Sequence, residues 1–135
     1  MSDSSATQAS ETVVTKTARH SVEDTVAKLS ELVKGRGLTL FAIVDHSGEA
    51  RRIGLALRDT KLVIFGSPEA GTPAMQAVPL LALDLPLKVL VWDNAGETKV
   101  SYTAPATLAA RFNLSEDLAK RLAAIDPITD ALVAD

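Results

Sequence analysis

Apolar positions along this chain fall into short runs with two different periods, and the change of period marks out the elements. Thr12-Val13-Val14-Thr15-Lys16-Thr17 is rich in β-branched side chains and predicts a strand. Ser21 then opens a helix. Val22, Val26, Leu29 and Val33 recur at i, i+4, i+7 and i+11 as one apolar stripe, with Glu23, Lys28, Glu31 and Lys34 on the solvated side. Ser21 and Asp24 form a weak capping box, and Gly35 and Gly37 end the helix. Leu38 to Val44 is apolar apart from Thr39 and predicts a largely buried strand, closed by the polar stretch Asp45 to Glu49. Ala50 to Leu57 has no clear period and allows a short helical turn.

Lys61 to Phe65 predicts another strand, ended by Gly66-Ser67-Pro68. Thr72 and Pro73 read as the N-cap and first residue of a short helix that ends by Pro79, because proline lacks only an amide hydrogen unused at that position. Leu80 to Leu85 reads as extended or loop. Leu87 to Trp92 and Thr98 to Thr103 form a hairpin around Asp93-Asn94-Ala95-Gly96-Glu97. Ala106 to Phe112 suggests a short helix, and Ser115 with Glu116 and Asp117 starts the last one, its Leu118, Leu122 and Ile125 pointing inward. Asp126-Pro127 kinks or breaks that helix, and Asp126 can cap a second piece running to Val133.

The resulting β-α-β-β-α-β-β-α order predicts an α+β fold: a curved, mainly antiparallel sheet of about five strands with helices packed on one face. Met1 to Glu11 carries almost no large apolar group and is expected to be a disordered tail, leaving 12–135 as a single α+β domain.

Composition narrows the functions. A chain of 135 residues with 47% apolar content can build its own core without a metal or disulfide staple. Aromatics are only 4%, too few for a base-stacking platform. The net charge is −3, the pI about 5.3, and the densest basic stretch is Arg51-Arg52, so neither nucleic acid nor an anionic membrane is an expected partner. With no cysteine there is no disulfide and no thiolate ligand or nucleophile. The first residues lack a signal-peptide pattern, and the longest apolar run, Val78 to Leu83, contains Pro79 and is too short to span a bilayer. A cytoplasmic location is expected.

Three segments could carry chemistry. Phe65 to Pro73 has two glycines, Gly66 and Gly71, spaced like those of a phosphate-binding loop, but Thr72-Pro73 stands where Lys-Ser/Thr is required. What survives is a helix start near Thr72 that offers a few amides to a small anion. Asp45-His46 at a strand end pairs an imidazole with a carboxylate, although turn chemistry is the plainer reading. Asp84 stands inside an apolar stretch, either as a surface or cap acid or as a carboxylate lining a pocket and facing Arg58. Tyr102 and Trp92 read as core residues with a polar edge. No metal set is expected with His20 and His46 as the only imidazoles, and no Gly-x-Ser-x-Gly elbow occurs.

The runs Gly37 to His46, Gly54-Leu55-Ala56-Leu57-Arg58, Leu62 to Pro68, Gly71 to Gln76, Leu83 to Lys88, Val91-Trp92 and Ser101-Tyr102, in this order, resemble the domain-of-unknown-function family numbered 302. The resemblance covers about Thr12 to the C-terminus. It implies a fold similar to the TATA-box-binding-protein-like class, and a homodimer; the family supplies no established function. Asp59 departs from the proline often found after the arginine that matches Arg58. The motif positions that could converge are Asp45, His46, Arg58, Thr72, Asp84 and Tyr102, with Gly71 beside them.

Three functions are compatible with this. The first is a homodimeric module with a polar pocket near Asp45-His46 and the Thr72 helix start, binding a small anionic or polar ligand through Arg58, Gly71, Thr72 and Tyr102. The second is an acid–base enzyme using His46 with Asp45 or Asp84. The third is a non-catalytic structural or interaction protein. The sequence specifies no cofactor.

Overall fold

The computed structural model describes residues 12–134, so the tail expected over 1–11 lies outside the described residues. Strands β1 (Val13–Ala18), β2 (Thr39–Asp45), β3 (Thr60–Gly66), β4 (Leu87–Asn94) and β5 (Glu97–Thr103) form one sheet in the order β1-β5-β4-β3-β2, with every neighbour antiparallel. Helices α1 (Val22–Gly35), α2 (His46–Arg52), α3 (Pro68–Ala77), α4 (Pro105–Arg111), α5 (Glu116–Leu122) and α6 (Ile125–Val133) intervene or follow, with a 3-10 helix over Pro79–Leu83. The α+β architecture and the antiparallel sheet are those the sequence pattern predicts.

The stripe on α1 is what the sheet buries. Val26, Leu29 and Val33 sit over Val63 and Phe65 of β3 and Val89 and Val91 of β4, all shielded from solvent. α6 packs beside α1 and over β1, adding Ile128 and Leu132 to the same core. Direct partners across an antiparallel pair share a face. Leu62↔Leu90↔Ser101↔Thr15 therefore runs along the opposite face, where Leu62 and Leu90 are half-buried. Along that row the Trp92 indole Nε1 donates to Ser101 Oγ at 3.0 Å, and Ser101 Oγ lies 2.9 Å from Thr15 Oγ1.

Several boundaries differ from the expectation, each for a local reason. The β4–β5 connection is a two-residue turn, because Ala95 (φ 52°) and Gly96 (φ 95°) both adopt left-handed backbone, the geometry that matches strand twist. Asp93↔Thr98 and Asn94↔Glu97 thus remain paired inside what read as a five-residue loop. β2 is not a buried strand. It lies on the sheet edge, with a register irregularity between Leu40 and Ala42, leaving Phe41 51% and Ile43 41% exposed. Helix α2 starts at His46, within the polar stretch Asp45 to Glu49 and ahead of the Ala50 to Leu57 segment that has no clear period.

The α3 helix begins at Pro68, not Thr72: Ser67 Oγ accepts from the Ala70 amide, and Pro68 takes the first turn. Pro73 consequently lies inside α3. Leu80 and Leu83 belong to the 3-10 helix and not to an extended segment. The C-terminal break falls before Ile125, and Pro127 is accommodated in the first turn of α6, where its missing amide hydrogen is not needed.

Candidate functional site

An apolar hollow with a volume of about 320 Å³ lies at the end of the sheet where Gly66 closes β3 and Leu87 opens β4. Its walls are Leu38 just before β2, Phe41 on the β2 edge, the first turns of α3, the Leu85-Pro86-Leu87 segment and the last turn of α5. Almost every lining group is carbon. Two glycines keep the space open: a Cβ at Gly66 would stand 3.5 Å from Pro86 Cβ and 3.7 Å from the Phe41 ring, and one at Gly71 would meet Met75 Cε at 3.7 Å. Arg121 is the one charged residue of the lining, and among the described residues its guanidinium reaches only an exposed Asp117 carboxylate at 3.8 Å.

The first turn of α3 has little left for an anion. Pro68 has no amide hydrogen, the Ala70 amide goes to Ser67 Oγ, and the Gly71 amide goes to Ser67 O at 2.7 Å. Gly71 lines the hollow; Thr72, on the exposed side of α3, does not.

Asp45 and His46 are at the other end of the sheet. Asp45 pairs with Lys61 of β3, five residues of strand from Gly66, which is roughly 17 Å at about 3.4 Å per residue. A polar pocket shared by His46 and the start of α3 does not form. His46 is exposed at the start of α2, and Asp45 is the cap of that helix, its Oδ1 accepting from the Gly48 amide and the Ser47 hydroxyl, both at 2.9 Å. The Gly48 and Ser47 bonds hold the Asp45 carboxyl below its ordinary range, which makes it a poor proton acceptor near neutrality.

Asp84 does not meet Arg58 or His46. Its Oδ2 accepts from Arg111 Nη1 at 2.6 Å, and the pair borders a minor hollow of about 50 Å³ with Lys88 and Thr103. Arg58 is exposed between α2 and β3, and its carbonyl accepts from Thr60 Oγ1.

Tyr102 belongs to a separate polar cluster under α6. Its hydroxyl donates to Asp126 Oδ1 at 2.5 Å. Lys16 Nζ lies 5.2 Å from the Tyr102 ring centroid, donates to Thr129 Oγ1 at 2.6 Å and pairs with Asp130 at 2.8 Å. Burial, then the Asp126 hydrogen bond, push the Tyr102 phenol up. Burial opposes charge on Lys16, but bonds to Asp130 and Tyr102 outweigh it and the net shift is upward. No group of three or more metal-ligating His, Asp or Glu side chains occurs among the described residues.

Of the residues singled out from sequence, Gly66 and Gly71 of the Phe65–Pro73 segment line the hollow, whereas Asp45, His46, Arg58, Thr72, Asp84 and Tyr102 do not. Phe41, Met75, Leu85 and Arg121 carried no chemical signature, and an apolar wall reads in sequence as ordinary core.

An open antiparallel α+β domain with an apolar hollow at the sheet end is the class these features define. The chain belongs to the family described as "Domain of unknown function DUF302", whose model matches residues 14–132. A crystal structure of an uncharacterized conserved DUF302 protein from Bacillus stearothermophilus superposes with a TM-score of 0.77 at 20% identity, covering 90% of this chain and 95% of that one. Among curated proteins, "Fluoride-specific ion channel FluC 1" of Brucella suis biovar 1 (strain 1330) is 40% identical over 110 residues, 79% of this chain and 43% of the relative. The protein of the same name from Brucella abortus biovar 1 (strain 9-941) matches at 40% over 110 residues, 41% of its length. The chain thus spans about two-fifths of the curated relatives it matches. No helix among its described residues is long and apolar enough to cross a membrane.

Proposed function

We infer that this protein is a small-molecule-binding module. The observation that carries this reading is the apolar hollow of about 320 Å³ at the Gly66–Leu87 end of the sheet, near the lower end of the size range of ligand sites. Apolar walls supply affinity by removing ligand surface from water, and Arg121 and Ser67 supply the few polar contacts that orient a guest. The polar site near His46 gives way to this apolar one. The acid–base alternative retains only Asp45 as a neighbouring carboxylate for His46, and that group is committed to capping α2. The test is occlusion. A leucine at Gly71 projects toward Met75 and Leu85 and fills the hollow. Small apolar compounds that raise the melting temperature of the native protein should have no effect on Gly71→Leu; equal shifts in both would refute the site.

The homodimer implied by the family resemblance has a specific surface in its favour. The β2 edge exposes Phe41 and Ile43, and the turn that ends α2 exposes Ile53 and Leu55, each 62%. The channel activity in the relatives' names is assigned, on this reading, to the part of those proteins outside the shared segment. That leaves a membrane channel as a second candidate partner.

A further inference from the structure

We propose that the hollow takes a monoanion with an apolar body, such as a medium-chain carboxylate, with Arg121 meeting the charged group; this rests on the hollow being the ligand site. Arg121 is the charged residue of the lining, which holds no carboxylate to receive a cation. Most of the rest of the wall, from Leu38 and Phe41 to Leu85 and Leu122, offers carbon to a chain or ring. Arg121 is available: its Nη2 stands 3.8 Å from an Asp117 carboxylate that is itself 83% exposed, a contact that a better-placed anion displaces at little cost. The guanidinium is a planar fork suited to two carboxylate oxygens. Ser67 adds a second group. Its Oγ accepts from the Ala70 amide at 3.2 Å, a bond that leaves the hydroxyl proton unused.

Calorimetric titration of the full chain with octanoate, octanol and octylammonium tests this. Octanoate is expected to bind about tenfold or more tightly than octanol, the size of one charge-assisted contact, and octylammonium more weakly than either. Arg121→Gln, at an exposed position, should leave the melting temperature unchanged and bring octanoate down to the octanol level without altering octanol. If octanol equals octanoate, or if Arg121→Gln keeps the advantage, the anion assignment fails while the hollow stands. If neither binds, or if binding survives Gly71→Leu, the hollow itself is not the site.

Discussion

At Asp45 the carboxylate oxygen that sequence offers as a base accepts the Gly48 amide and the Ser47 hydroxyl, and both bonds favour its ionised form. The folded value is depressed from an ordinary 3.8, so the group stabilises the fold above that pH and loses its contribution as pH falls through the lower folded value. Asp45→Asn keeps a capping side chain but removes the charge. Urea midpoints should therefore separate wild type from Asp45→Asn at neutral pH and converge in acid below about 3.8; a constant gap would contradict the assignment. Sequence could place Asp45 at a strand end but not choose between cap and base, since both roles ask for an accessible carboxylate there. The choice depends on whether a helix follows at once, and Ser47-Gly48 looks like a turn until it is folded.

The same ambiguity governs α3. Ser67-Pro68 and Thr72-Pro73 each offer a hydroxyl cap followed by proline, and only the first is used. Ser67-Pro68-Glu69 adds an acid in the first turn, where the helix dipole favours it, and that signal was available. The apolar stripe of α1 and the alternation of β4 and β5 were legible because each faces one continuous core. The edge position of β2 was not, because an apolar run looks the same in a central strand. Between elements, β1 and α6 are joined by Lys16 and Tyr102 through Thr129, Asp130 and Asp126. Tyr102→Phe leaves the Asp126 carboxylate without that donor and should cost about 1–3 kcal/mol in chemical denaturation. Both Lys16 and Tyr102 have raised folded values, so their contribution is complete below about 10 and is lost as pH rises further. The wild-type alkaline decline should be shallower in Tyr102→Phe.

Across the whole molecule, the two ends of the sheet differ in what they present to solvent. One end holds the hollow; the other carries α2 and the exposed Ile53 and Leu55. The β2 edge, with open backbone groups and the half-exposed Phe41 and Ile43, joins them. Pairing of β2 with its counterpart in a second copy would satisfy those groups around a twofold axis. Light scattering should then give a dimer for the native chain and a monomer for Ile43→Lys; identical masses would exclude this edge as the interface.

The division between the ends is tested most directly by amide chemical-shift mapping during a titration with octanoate. Gly66 and Gly71 should move together with Leu87 and Arg121, while Ser47 and Gly48 beside His46 stay fixed. Movement at Ser47 and Gly48 with Gly66 and Gly71 unchanged would place the ligand at the opposite end of the sheet and contradict the account.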